Sequence, residues 1–236
     1  MRVRFLICWV ILVGLVPASP AQAPRHAQGV DGLALLPPPP PAGSVEARDD
    51  LENADRTHRS ATPAEIAAGK GETKLTVFHL TAGIIDWFQP GRAPKTEALF
   101  RTVELETKRV TDPVKNHWRR ARPYQAAPER FRDAIEHDGL RSYSYPSGHA
   151  TRGTVFAAIL GELWPEHREE FCAKGREAGW LRVKGGVHFP SDVYAGRVLG
   201  QAIARAMLAS PAFQRELAEA KTELAALAPR EPVLAH

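Results

Sequence analysis

From residue 45 onward the apolar residues of this chain recur three and four positions apart, and no run alternates with the period of two that a half-buried strand requires. The pattern excludes a core built on a sheet and predicts an all-α protein. With 236 residues, 44% of them hydrophobic, the chain has enough apolar material for one helical domain with a substantial core. Helices are predicted at about 45–57, 62–69, 73–88, 94–110, 127–136, 149–163, 165–179, 191–208 and 211–227. Thr62-Pro63 and Ser210-Pro211 each set a capping hydroxyl before a first-turn proline, so Ser210 separates the last two helices.

The first residues follow a different logic. Met1–Arg4 is basic, Phe5–Val16 is an apolar run too short to span a bilayer comfortably, and small residues come next. This reads as an export signal over residues 1–21, cleaved after Ala21, with cleavage after Ala23 as the alternative. Residues 24–44 are expected to be a proline-rich extended segment, because Pro37–Pro41 admit only extended or polyproline-like backbone. Residues 45–230 then form a single helical domain. Leu75–Phe88, interrupted by His79 and Asp86, is shorter than a membrane span and belongs to the core, so no stable membrane insertion is expected once the signal is removed. Cys8 lies in the signal, which leaves Cys172 alone and excludes an internal disulfide and a cysteine-ligated zinc site. The net charge of +4 falls to about +2 without Arg2 and Arg4, too little to argue for a nucleic-acid partner.

Three clusters carry chemistry. In Lys115-Asn-His-Trp-Arg-Arg-Ala-Arg122-Pro123, Lys115 and Arg122 are two helical turns apart, so both can point the same way from one segment that Pro123 ends. Converging cations make a phosphate site, although a run holding Arg119, Arg120 and Arg122 also fits a solvated basic face or a non-catalytic arginine-rich binding module. In Tyr145-Pro-Ser147-Gly148-His149 a tight turn enters a helix, whose first N–H groups and dipole suit an anion; a capped helix with an incidental histidine is the plainer alternative. In the third cluster Arg182 precedes Gly185-Gly-Val-His188-Phe-Pro-Ser-Asp192. Asp192 can accept the Nδ1–H of His188 and leave Nε2 as an attacking lone pair, or it can simply be an acid favoured by a helix dipole. Cations for non-bridging oxygens, a proton donor and a nucleophile are the parts phosphoryl transfer needs.

In this order, Lys-x6-Arg-Pro, Pro-Ser-Gly-His and Arg-x5-His-x3-Asp, the clusters resemble the three-part signature of the type-2 phosphatidic acid phosphatase and vanadium haloperoxidase superfamily. Within it the chain looks most like the bacterial class A non-specific acid phosphatases. Leu33-Ala-Leu-Leu-Pro-Pro-Pro-Pro-Pro-Ala-Gly-Ser44 is similar to that group's proline-rich lead-in, and Ser210-Pro-Ala-Phe-Gln-Arg-Glu-Leu217 to its C-terminal helix. The resemblance implies an α-helical bundle and a periplasmic acid phosphatase that acts on phosphate monoesters through a phosphohistidine, over a broad substrate range, with no metal or other cofactor. It implies that Lys115, Arg122 and Arg182, with the backbone amides of Ser147 and Gly148, bind the phosphoryl oxygens. It implies further that His188 is the nucleophile, Asp192 orients it and His149 is the general acid. Small phosphomonoesters are the expected partners, and self-association into a homo-oligomer is left open.

The chain departs from that pattern at Leu181, where a serine usually stands, and at Ala150, where class A has threonine. A vanadium-dependent haloperoxidase is the alternative, since vanadate occupies the same kind of cage. Length, the proline-rich lead-in and the C-terminal segment favour the phosphatase. A lipid phosphatase of the superfamily would ordinarily be embedded in the membrane, which the missing spans argue against.

Overall fold

The structure, a computed structural model, describes residues 26–71, 74–135 and 142–229. The expected signal, residues 1–21 or 1–23, lies outside the described residues. Among those described, every regular element is a helix, in the order α1 (Gly32–Leu35), α2 (Val45–Arg59), α3 (Pro63–Gly71), α4 (Val77–Thr81), α5 (Pro94–Trp118), α6 (Pro123–Ala126), α7 (Gly148–Leu163), α8 (Arg168–Lys184), α9 (Pro190–Ala209) and α10 (Pro211–Leu227). A single 3-10 turn, Pro165–His167, leads into α8. The all-α expectation is met. Thr62 and Ser210 cap as predicted, with Thr62 Oγ1 accepting from Glu65 N and Ser210 Oγ from Phe213 N.

Four predicted helices take a different form, each for a local reason. The expected helix at 73–88 shrinks to α4, because both polar residues that interrupt its apolar run act as caps. His79 Nδ1 accepts from Thr76 N at the start, and Asp86 Oδ1 accepts from Gly83 N (φ +73°) just past the end. The expected helix at 127–136 is a series of turns as far as Ile135, with Arg130 N bonded to Ala127 O and Ala134 N to Phe131 O; residue 136 is not described. Helix α5 runs on past 110 through Pro113, since Val110, Thr111, Val114 and Lys115 continue its buried stripe. Helix α8 extends past 179 to Lys184 and carries Arg182 with it. The segment expected to be extended also holds a short helix, α1, and it lies against the body. Tyr145 Oη donates to Pro37 O at 2.6 Å, and Glu106 accepts from the N–H groups of His26 and Ala27.

Helix α7 is central and apolar on nearly all sides. It lies against α8, α9 and α5. Contact with α8 is closest at Gly153 and Gly175, where a Cβ added to Gly153 would stand 2.8 Å from Gly175 O. Around this crossing Phe88, Phe100, Phe156, Trp164, Phe171 and Leu160 form the main core, with Phe100 and Phe156 edge to face at 5.4 Å. A second cluster of Tyr124, Phe131, Ile135, Val183, Val187, Phe189 and Val193 sits behind the loop that links α8 to α9. It fixes that loop from below.

Replacing Gly153 or Gly175 by valine is expected to force α7 and α8 apart and cost about 1–3 kcal/mol. Urea denaturation checks this against Gly71→Ala, where nothing lies within 4 Å of the added Cβ and stability should barely change.

Candidate active site

The last turn of α5, the start of α6, the N-terminus of α7, the end of α8 and the loop into α9 meet around a cavity of about 700 Å³. Lys115, Arg122, Gly148, His149, Arg182 and His188 line it. Thus six of the eight residues singled out from the sequence reach one cavity. Asp192 lies behind His188, and Ser147 is turned away: its N–H donates to Asp192 O at 2.9 Å and its Oγ caps α7. The structure therefore brings Gly148 to the wall and engages the Ser147 amide elsewhere.

Lys115 and Arg122 do converge, but not as two turns of one helix. Helix α5 ends at Trp118, Arg119 adopts the left-handed conformation (φ 47°), and Arg122 has extended backbone as the residue before α6. Pro123 opens α6 instead of ending a segment. The reversal lets the side chains meet from opposite directions.

Each cation is held by carbonyl groups. Lys115 Nζ donates to Tyr143 O at 2.7 Å, and Arg122 donates to Ser142 O at 3.0 Å and Val187 O at 2.7 Å. Arg182, 1% exposed, donates from Nη1 to Gly69 O at 3.0 Å, which ties the site to α3. Burial, and next the charge of Arg122, push the Lys115 ammonium down to about 7; Asp192 and Asp112 pull the other way. An oxyanion entering the cavity would relieve Lys115.

His188 sits at the buried end of the cavity. Its Nδ1 is 3.2 Å from Asp192 Oδ2, and its Nε2 is 3.1 Å from Arg122 Nη1. Nδ1 therefore donates to the carboxylate, and Nε2 presents a lone pair to which Arg122 donates. Burial first, then Arg122, hold the imidazole well below the usual histidine range, against the pull of Asp192. Asp192 is fully buried, which alone would raise its carboxyl. Bonds from His188 and Ser144 and the charge of Arg120 outweigh that and keep it well below the usual carboxylate range.

Sequence reasoning missed three supports. Ser144 Oγ donates to Asp192 Oδ2 at 2.5 Å, Arg120 Nη1 donates to Asp192 Oδ1 at 2.6 Å, and Asp50 on α2 accepts from Arg120 Nη2 at 2.7 Å. Arg120 was visible only as one charge in a basic run, and nothing in the spacing of Asp50, 142 positions before Asp192, signals the contact. The two departures are packing positions: Leu181 lies beside Gly69 on α3, and Ala150 fits against Gly179 and Gly196 where α7, α8 and α9 meet. His58 adds a further tie, donating from Nδ1 to Lys184 O at 2.6 Å below the His188 loop.

Among the described residues no cluster of histidine, cysteine and acidic side chains could hold a metal ion, and no helix is long and apolar enough to cross a membrane.

The family model of the PAP2 superfamily matches residues 104–216, which include Lys115, Arg122, Gly148, His149, Arg182 and His188. The chain is 31% identical to a non-specific acid phosphatase of Providencia stuartii over 215 residues, 86% of this chain and 84% of that protein. It is 28% identical to a non-specific acid phosphatase of Salmonella typhimurium, over 95% of this chain and 93% of that one. It is 32% identical to an acid phosphatase of Zymomonas mobilis, over 82% and 75%. With a relative of more than 30% identity covering most of both sequences, and the three motifs gathered at one cavity, the chain belongs to the PAP2 superfamily as a member of its acid phosphatase family.

Proposed function

We propose that this phosphatase hydrolyses small phosphate monoesters, over a broad range, through a phosphohistidine formed on His188. The observation that carries the reading is the orientation of that imidazole: Nδ1 donates to a buried carboxylate and Nε2 points its lone pair into a cage of three cations. The Arg122 guanidinium that meets Nε2 is also placed to take a phosphoryl oxygen, which would set phosphorus next to the lone pair.

In the first step Nε2 of neutral His188 bonds to phosphorus and the bond from phosphorus to the alcohol oxygen breaks. His149, protonated, gives its proton to the departing oxygen. Asp192 offsets the positive charge on the phosphorylated imidazole through Nδ1–H. In the second step neutral His149 takes a proton from water as the water oxygen bonds to phosphorus. The P–N bond breaks, its electron pair returns to Nε2, and phosphate leaves. Lys115, Arg122 and Arg182, with the Gly148 end of α7, neutralise the non-bridging oxygens in both steps. The basic start, apolar run and small residues of 1–23 further support export to the periplasm with removal of that segment.

Two outcomes are expected of the histidines. Wild-type protein quenched during turnover of p-nitrophenyl phosphate should yield an acid-labile phosphoenzyme that His188→Ala does not form. His149→Ala should lose about 10²- to 10⁴-fold on alkyl phosphates and much less on the nitrophenyl ester, whose leaving group needs little protonation. Phosphoenzyme in His188→Ala would place the nucleophile elsewhere.

Sulfate, whose charge is constant near neutrality, should inhibit more strongly as pH falls toward about 7 and level off below it. Its binding favours protonated Lys115, whose ammonium is otherwise held down to about 7. Lys115→Arg should remove that dependence, with both proteins measured in a His149→Gln background so that His149 does not contribute. Exported protein should show an N-terminus after Ala21 or Ala23 on N-terminal sequencing, whereas a protein still beginning at Met1 would rule out processing.

A further inference from the structure

Arg120 is the arginine of the 119–122 run that neither the turn after α5 nor the phosphoryl cage explains. Arg119 takes the left-handed turn and donates from Nε to Asn116 O, while Arg122 lines the cavity. Arg120 does not line that cavity; it enters from the far side of Asp192. Nη1 donates to Asp192 Oδ1 at 2.6 Å and to Ser191 Oγ at 2.7 Å, and Nη2 donates to Asp50 Oδ2 at 2.7 Å. Its guanidinium lies 3.8 Å over the Phe189 ring. Asp50, 8% exposed, also accepts from Ser191 N and from Ser191 Oγ. The two oxygens of Asp192 are thereby divided. Oδ2 faces His188, Ser144 and Phe189 N, and Oδ1 faces Arg120.

We propose that Arg120, fixed by Asp50, is a positioning residue for the phosphatase reaction: it occupies the outer oxygen of Asp192, so that Asp192 orients His188 without drawing a proton onto it. The physical reason is charge sharing in a dry site. An unpartnered buried carboxylate binds a proton more tightly, alone or together with the imidazole it touches. With Arg120 spanning Asp192 and Asp50, the pair stays deprotonated as a unit and Nε2 keeps its lone pair at acidic pH. Other charges facing His188 and Asp192 are Lys115 from α5, Arg122 from the start of α6, His149 from α7 and Arg182 from α8. Of these, His149 must be protonated for the first displacement, the step that kcat/KM reads, so its protonation produces no acid limb in kcat/KM. Asp50 stands on α2, outside residues 104–216, so part of the site's tuning comes from a helix that the family model does not span.

The inference rests on His188 as the nucleophile, and the test separates the two. In Arg120→Met the acid limb of kcat/KM should move up by about one pH unit, with the inhibition constant of inorganic phosphate little changed because Arg120 does not line the cavity. Arg120→Gln, which keeps a hydrogen-bond donor to Asp192 without the charge, should shift the limb in the same direction by less, and it serves if Arg120→Met does not fold. Arg120→Lys, whose single ammonium cannot span both carboxylates, should restore only part of the wild-type profile. Histidine NMR of the same variants reads the proton affinity of His188 without reference to turnover. A raised His188 titration with a raised acid limb supports the proposal. A raised titration with an unmoved limb keeps the Arg120 effect and overturns His188 as nucleophile. An unmoved titration, with activity lowered equally at all pH, overturns the proposal and leaves Arg120 a purely structural ion pair.

Discussion

Everything at this site depends on holding three cations together in a buried place. Moving one such group out of water costs several kcal/mol, and placing a second beside it adds repulsion. Among the described residues backbone carbonyl oxygens help to meet that cost: Tyr143 and Ser144 accept from Lys115, Ser142 and Val187 from Arg122, and Gly69 from Arg182. Carbonyl dipoles stabilise the cations without neutralising them. Burial, and next the charge of Arg122, hold Lys115 down to about 7, and an entering phosphoryl anion would offset both.

This requirement shapes the irregular parts of the chain. Loop residues from 142 to 147 and from 184 to 188 must present carbonyls inward, so each is anchored from behind. Ser144 N bonds to Arg120 O, Ser147 N to Asp192 O, and His58 holds the Lys184 carbonyl, while Phe131, Ile135 and Val187 fill the space beneath. Regular helices supply the complementary devices. The C-terminal end of α5 favours the Lys115 charge, and the N-terminal end of α7 favours the anion that Lys115 is to meet. The close crossing of α7 and α8 at Gly153 and Gly175 keeps the α7 N-terminus and Arg182 in one frame.

The amino-terminal part is joined to the chemistry more tightly than a spacer would be. Tyr145, one residue past Ser144, donates to Pro37 O, and Asp50 on α2 reaches Asp192 through Arg120. An ion pair between Arg130 and both Glu52 and Asp55 ties α2 to the turns that stand where a helix was expected. These contacts cross 70 positions or more, and the residue types that make them are ones that ordinarily face solvent.

By itself the sequence determined the helical class, most helix starts and six of the residues that line the cavity. Each of these is written in local terms: a 3.6-residue period, a capping hydroxyl before proline, and side chains whose chemistry is legible within a few positions. Only the tertiary structure decided how Lys115 and Arg122 meet, because the left-handed turn at Arg119 reverses a register that spacing alone reads as helical. It alone showed that the Ser147 amide is spent on Asp192 O, and that Arg120, indistinguishable from its neighbours as a charge, is the one arginine of its run turned onto Asp192. Backbone reversals and buried ion pairs depend on which distant carbonyl or carboxylate is within about 3 Å, and that distance is set by packing between helices.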